Sequence, residues 1–410
     1  MDKQIFAALE ITGHEVRLII GEFFNTRFNI IKVERVHCNG LNNYKIESEE
    51  EVVASIKKAI SNASDKIKAP IKKVLLALPS VNVHRYPLKV TTKVESIDNL
   101  VTSYDIQRAR KKAASTVLDD NLTLVQTVCV KYTCNGIATR RIPIGEKCDM
   151  LTVDIDLLCI DKETAFKLVG SVEKAGLEVL DVSIDSFAIA KEAAMFEQTV
   201  GQNIIILNLT RENCVLSLLA KGKLIHCDIL NHGINNWIEY IKKQYPLKNE
   251  NIVKIIKSNA RFDVDKHPNY PIYAYNSDGN TVEIIGKQIT DLIRDDVNNW
   301  VSEIKEKCLP ILEADKTTVI LTGEGADIQG LDTLLQEQLN TDVRIYIPET
   351  LGVRTGDLVA CLGLFFAYKD QLPIIGDISN SIDIDVLQGV QKSGDSEEES
   401  ITKKLKGMLF

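Results

Sequence analysis

The sequence predicts an α/β protein made of two lobes related by internal duplication, with an inserted β/α unit and an amphipathic segment near its end. Three observations predict it. Leu9-Glu10-Ile11-Thr12-Gly13-His14-Glu15-Val16-Arg17-Leu18 is echoed by Leu207-Asn208-Leu209-Thr210-Arg211-Glu212-Asn213-Cys214-Val215-Leu216. Each copy pairs an apolar strand, a polar turn and a second apolar strand, then a third strand ending near a glycine, Gly40 or Gly233. A repeat distance this long fits a duplicated lobe and not a solenoid. The chain of 410 residues is also too long for one ordinary core. Between about 88 and 176 the pattern changes, which reads as an insertion into the first lobe.

Residues 4–12, 16–23 and 28–36 alternate as three strands. A helix is expected over 49–67, where Val52, Val53, Ile56, Ile60 and Ala63 form an apolar stripe. Lys72 to Leu78 reads as a buried strand. In the insert a helix at 103–118 leads to strands near 122–133 and 150–160, and a helix at 161–175 stops at Gly176. The first lobe resumes with Val179–Ile184 and a helix at 185–197. The second lobe starts at Asn203. It continues with helices at 233–245, 248–259 and 285–311, with a Pro- and Tyr-rich connection between the last two. Thr317–Thr322 is a strand entering Gly323-Glu324-Gly325-Ala326-Asp327, and such a strand, Gly-turn and helix offers backbone N–H groups to a ligand. As a dinucleotide fingerprint it fails, because Ile328 holds the third glycine position. The last core helix is 356–369. Its run Leu358 to Tyr368 is about half a membrane span.

The net charge of -8 argues against nucleic-acid binding, which needs a basic stripe to displace counterions. The N-terminus enters a strand almost at once, so no signal peptide is expected. The cysteines number nine, none in a C-x-x-C, which reads as buried reduced thiols of a cytosolic protein. The scattered histidines make no metal-binding spacing, so no metal ligand set is assigned.

After Pro373 the composition turns polar, and 376–399 reads as a flexible acidic linker ending in Ser396-Glu397-Glu398-Glu399. Ile401, Leu405, Met408 and Leu409 then fall on one helical face beside Phe410, with Lys403, Lys404 and Lys406 on the flanks and opposite side. Ser396 and Glu399 have capping-box spacing. Large apolar residues displayed beyond an acidic linker need a partner surface. The lysine collar points to an anionic membrane, each lysine adding about 1 kcal/mol near such a surface.

The turns, the insert and the tail together resemble the FtsA family, bacterial actin-like proteins that tie FtsZ filaments to the membrane at the division site. Ile142-Pro143-Ile144-Gly145 before Met150–Ile160, then Asp161–Gly176, looks like the family's extra subdomain. Leu321-Thr322-Gly323-Glu324-Gly325-Ala326 resembles its adenosine-side loop L-T-G-G-x-A, with Glu324 replacing a glycine. The resemblance implies an actin-like, ribonuclease H-like duplicated fold. The first lobe would occupy 1–87, continuing at 177–200 and 354–375, with the insert at 88–176. The second lobe would occupy 201–233 and 309–353, with a helical subdomain at 234–308, the linker at 376–399 and the tail helix at 400–410. It further implies a cytoplasmic protein, peripheral on the inner face of the cell membrane, that self-associates into filaments. The C-terminal peptide of FtsZ would dock on 234–308, where Lys287 and Arg294 are candidate contacts.

The implied ATP site departs from the family. Its loops D-I-G-T and D-I-G-G-G-T are here Glu10-Ile11-Thr12-Gly13 and Asn208-Leu209-Thr210-Arg211-Glu212-Asn213. Two aspartates would hold hydrated Mg²⁺, and glycines would let N–H groups approach the phosphates. The degenerate site comprises Glu10, Thr12, Gly13, Asn208, Thr210, Lys254, Thr322, Gly323 and Gly325. Arg211 and Glu212 add bulk and charge between the lobes, and an Arg211–Glu10 pair would close the crevice. A scaffold without ATP turnover is the expectation. An ATP-hydrolysing enzyme of the same superfamily and an envelope-assembly platform of the PilM type are the alternatives.

Overall fold

A computed structural model describes residues 3–25, 27–199, 201–263, 270–277, 280–376 and 379–383. In the first lobe β1 (Gln4–Ile11), β2 (Glu15–Phe24) and β3 (Arg27–His37) form an antiparallel meander. A short hairpin, β4 (Leu41–Asn42) and β5 (Lys45–Ile46), leads into α1 (Glu49–Ile67) and β6 (Lys73–Leu78), which lies parallel to β1. The Ser48 side chain accepts from the Glu51 N–H at the start of α1, and three glutamates in the first turn favour the helix dipole.

The inserted unit is β7 (His84–Lys93), α2 (Ser103–Ala114), β8 (Leu122–Cys134), β9 (Ile137–Thr139) and β10 (Met150–Asp161), with sheet order β7-β10-β8-β9. β7 pairs with β10 over its whole length, so the expected boundary at 87/88 falls inside a strand. The other boundary also moves. α3 (Lys162–Lys174) buries Ala165, Leu168 and Val172 in the first-lobe core beside α1 and β11 (Glu178–Ile184), so it belongs to that lobe. The expected helix at 185–197 is two, α4 (Asp185–Glu192) and α5 (Met195–Gln198). Ala194 between them adopts a left-handed conformation (φ 48°) that no α-helix accommodates.

In the second lobe β12 (Asn203–Leu209), β13 (Cys214–Ala220) and β14 (Lys223–Leu230) repeat the meander. Helices α6 (Ile234–Gln244) and α7 (Asn249–Asn259) follow. The hairpin β15 (Pro271–Ser277) and β16 (Asn280–Ile285) stands where a plain connection was expected, and the long α8 (Gly286–Ala314) comes next. Trp237 of α6 and Trp300 of α8 meet edge to face at 5.8 Å in this helical layer. β17 (Thr317–Thr322), α9 (Leu331–Leu339) and β18 (Val343–Ile345) complete the lobe, and α10 (Val359–Lys369) and α11 (Leu372–Ile375) return to the first.

The two principal sheets have the same topology, β3-β2-β1-β6-β11 and β14-β13-β12-β17-β18. The duplication read from the echo is therefore present as a whole sheet. The turns match down to their hydrogen bonds. Thr12 N–H donates to the Glu15 carbonyl (2.9 Å), and Thr210 N–H donates to the Asn213 carbonyl (2.9 Å). Each threonine hydroxyl folds back on the same residue, at 2.9 Å and 3.0 Å. The repeated threonine thus closes its own turn. Among the described residues Gly356–Ile375 is apolar and long enough to cross a membrane, but most of it is buried. α10 packs on α4 and the first-lobe strands, and a Cβ on Gly363 would lie 2.0 Å from the Ala188 carbonyl oxygen.

Candidate functional site

Both threonine turns face one cleft between the lobes. It is lined by Glu10, Thr12, Gly13, His14 and Arg17 from the first meander, and by Asn208, Thr210, Arg211 and Glu212 from the second. Tyr44, the end of β6, Asp185, Gly323-Glu324 and Gly356-Asp357 complete it. The free cavity measures about 50 Å³. That holds a few waters at roughly 10–15 Å³ each, whereas pockets for small molecules start at about 300 Å³. Side chains of the protein fill the rest.

Arg17 is the centre of that filling. It is 4% exposed and sits opposite Glu10 in the β1–β2 register. Its Nη1 donates to Glu10 Oε2 (3.2 Å) and to the Asp357 carbonyl (2.7 Å), and its Nε donates to Glu15 Oε1 (2.7 Å). Across the cleft, Glu324 Oε2 lies 3.9 Å from Arg17 Nη2 and 3.4 Å from His14 Nε2. Arg211 Nε donates to Glu324 Oε1 at 2.8 Å. Arg211 therefore pairs with Glu324, and the expected Arg211–Glu10 pair is replaced by Arg17–Glu10. Glu324, in the turn that follows β17, is thus the joint between the lobes.

A second set of contacts closes the mouth. The β4–β5 hairpin reaches across so that the Asn43 N–H donates to Glu212 Oε1 (3.2 Å) and the Tyr44 hydroxyl to Asn213 Oδ1 (2.8 Å). Glu212 lies against the first turn so closely that a Cβ on Gly13 would stand 2.0 Å from its Oε1. The space that the missing side chain of Gly13 leaves is taken by the chain's own carboxylate.

The electrostatics follow from burial against these partners. Burial pushes Glu10 up to about 7, with Arg17 opposing. Burial likewise raises Asp185 to about 6, although Ser80 and Ser186 hydrogen-bond to it. For Asp357 burial is outweighed by hydrogen bonding to Arg35 and the charges of Arg17 and Arg35, which hold it near 2. Burial is outweighed at Glu15 too, by hydrogen bonds from His14 and Arg17 and the Arg17 charge, leaving its carboxyl well below the usual range. The guanidinium of Arg17, facing four acidic residues, is held protonated despite its burial.

Of the residues expected at the site, the structure brings Glu10, Thr12, Gly13, Asn208, Thr210 and Gly323 together in the cleft. Asn208 Oδ1 lies 2.4 Å from where a Cβ of Gly323 (φ 90°) would sit. Thr322 and Gly325 do not line it: the Thr322 hydroxyl donates to the Tyr346 carbonyl (2.9 Å), and Gly325 packs on Leu209. Lys254 is exposed on α7, outside the cleft lining, while Lys257 one turn on pairs with Asp327 at 2.8 Å. Lys287 and Arg294 both approach Asp291 on their own helix, at 3.2 and 4.0 Å. The tail residues Ile401, Lys403, Lys404, Leu405, Lys406, Met408, Leu409 and Phe410 lie outside the described residues. Sequence reasoning missed Arg17, Glu15, Tyr44, Asp185 and Asp357. The one legible signal was Arg17, a charge within the apolar run Val16-Arg17-Leu18-Ile19-Ile20.

No family model matches the chain. Among curated proteins it is similar to the cell division protein FtsA of Bacillus subtilis (strain 168), with 22% identity over 385 residues, covering 88% of this chain and 83% of the relative. The FtsA of Enterococcus faecalis (strain ATCC 700802 / V583) shows 22% identity, with 85% and 80% covered. That of Streptococcus pneumoniae serotype 2 shows 22%, with 85% and 77% covered. Among solved structures, a chain of the PilM-PilN type IV pilus biogenesis complex aligns with a TM-score of 0.59 at 15% identity, covering 88% of this chain and 97% of that one. MreB5 of Spiroplasma citri bound to AMPPNP aligns at 0.53 and 13%, covering 92% and 99%. The chain therefore has the actin-like fold and resembles the FtsA family over at least 85% of its length.

Proposed function

We propose that this chain is a cell-division scaffold of the FtsA type that works with its interlobe cleft closed by its own side chains. The observation that carries the reading is an internal clasp in the cleft: Arg17, Arg211 and His14 meet at Glu324, and Glu212 covers Gly13. The residues do not fit ATP with magnesium. Glu10 is engaged by Arg17, Asn208 brings no charge, and Glu212 sets a carboxylate where phosphates would need donors. Here ion pairs and the β4–β5 strap join the lobes. The scaffold needs no turnover to stay closed.

In this reading residues 401–410 anchor the chain to the cytoplasmic membrane, and the helical layer of α6, α7 and α8 receives the C-terminal peptide of FtsZ. Lys287 and Arg294 are offered there as contacts for that acidic peptide, in competition with Asp291. Self-association into filaments would multiply weak single anchors into a firm attachment. Pull-down of the full chain by an immobilised FtsZ C-terminal peptide tests the partner. Retention that is lost on Lys287→Glu/Arg294→Glu supports it, and absence of retention removes it. The likeness to PilM favours a second reading, an envelope-assembly platform. Vesicle flotation separates the two, since only the first requires Leu405 and Leu409.

A further inference from the structure

We propose that the end of the first lobe from which the chain departs after Asp383 is itself a membrane-contacting surface, lying on anionic lipid beside the tail. The proposal rests on the tail's being an anchor. The departure point is fixed by the fold. Ser381 inserts between β1 and β6: its N–H donates to the Ile5 carbonyl (2.9 Å), and its own carbonyl accepts from the Lys72 N–H (3.0 Å). Asn380 Oδ1 accepts from the Ile5 N–H (2.8 Å), and Ile382 bridges Ile71. Residues 384–410 are therefore tethered at this end of the sheet.

In a chain of net charge -8, that end is cationic. Lys3 precedes β1, Lys72 precedes β6 and Lys73 opens it, Lys66 and Lys68 close α1, and Arg27 opens β3 opposite Phe24. Lys3 pairs with Glu22 and Lys73 with Glu178. Asp65 and Asp383 add two exposed carboxylates, and Glu178 is itself mostly exposed. Arg27, Lys66, Lys68 and Lys72 are exposed, with no ion-pair partner among the described residues. Lys68 caps α1 in the left-handed conformation (φ 56°), where glycine is the favoured residue. Phe24, 42% exposed, stands beside Lys3, an aromatic placed as interfacial residues are.

The occupant we assign is an anionic lipid surface, on charge complementarity and on the tether. The composition of 384–400, read as a linker, implies a span of roughly 20–25 Å r.m.s.. With the tail inserted, a tether of that reach lets this face come down onto the headgroups, inside the ~8–10 Å over which its charges act. The rival occupant is the tether's own acidic stretch, Asp395 to Glu399.

The test is co-sedimentation of the full chain with phosphatidylcholine vesicles of rising phosphatidylglycerol content, beside two variants. These are Lys66→Glu/Lys68→Glu/Lys72→Glu and, for the tail, Leu405→Asp/Leu409→Asp. A lysine near an anionic surface contributes about fivefold. The triple variant should partition at least about tenfold more weakly and lose much of its salt dependence, with its melting midpoint unchanged. If charge reversal lowers that midpoint, Lys→Gln replacements at the same positions give the same reading with less strain. Binding equal to the parent overturns the proposal and leaves the tail anchor standing. Tighter binding overturns it in favour of a face that sequesters residues 395–399. A smaller oligomer without vesicles, with unchanged binding per protomer, overturns it in favour of a contact between copies. Should the tail variant bind as well as the parent, the anchor reading falls, and the proposal that rests on it falls too.

Discussion

Replacing Arg17 with methionine tests the clasp at its centre. The side chain is 4% exposed and donates to Glu10, Glu15 and the Asp357 carbonyl while facing Glu324. Methionine keeps most of the volume and removes the charge, so the loss reports electrostatics more than packing. Breaking a buried pair from one side costs about 3–5 kcal/mol, because the partners stay behind uncompensated. Against a total of about 5–15 kcal/mol this is a large share. The loss should depend on pH. Glu10 titrates near 7 in the folded chain, above its ordinary 4.5, so its contribution to stability is full below 4.5 and is lost as pH rises through 7. At about pH 5.5 Glu10 is protonated with or without Arg17, and its pairing drops out of the difference. At about pH 8 it is ionised beside Arg17 in the parent and stranded in the variant, so the loss is larger there. Urea unfolding at both pH values, with Arg17→Met/Glu10→Gln recovering part of the alkaline loss, is the assay. A loss below about 1 kcal/mol, or one equal at the two pH values, would refute the reasoning.

Three further outcomes are expected. Gly13→Ala forces the Glu212 carboxylate aside and should cost about 1–3 kcal/mol; in a Glu212→Ala background the same change should be nearly neutral, as a double-mutant cycle in urea will read. Tyr44→Phe removes the strap's hydroxyl from Asn213 and should cost about 0.5–1.5 kcal/mol, with faster hydrogen exchange concentrated at 41–46 and 210–214. Asp357, held near 2 against an ordinary 3.8, stabilises the fold above 3.8 and loses that contribution as pH falls toward 2. Asp357→Asn should therefore flatten the acid limb of the stability profile, measured by thermal melts across that range.

The sheets were legible because their signal is local. Strands 4–12, 16–23 and 28–36 alternate at period two, and the echo at Leu9 and Leu207 gave the duplication that the matched strand orders display. The insert's limits were not, because β7 is a largely exposed strand whose Pro87 and charged residues mask alternation. α3 looked like a continuation of the insert, but its apolar stripe packs on the first lobe. The hairpin of β15 and β16 hid in a short Tyr-rich stretch, where Tyr273 and Tyr275 share a face. In the cleft, the turns could be placed from sequence but their partners could not. Arg17 reaches a carbonyl 340 residues away, and Arg211 finds Glu324 across 113. Charge alone paired Arg211 with Glu10; the β1–β2 register, which sets Arg17 opposite Glu10, decides otherwise.

The central claim is that the cleft is closed by the protein and not by a nucleotide. Calorimetric titration of the full chain with ATP, with and without Mg²⁺, tests it most directly. The account predicts no saturable heat up to about 1 mM, the concentration at which binding would be worth about 4 kcal/mol, and no Mg²⁺ dependence. Micromolar, Mg²⁺-dependent binding that leaves Arg17, Glu212 and Glu324 in place would contradict it.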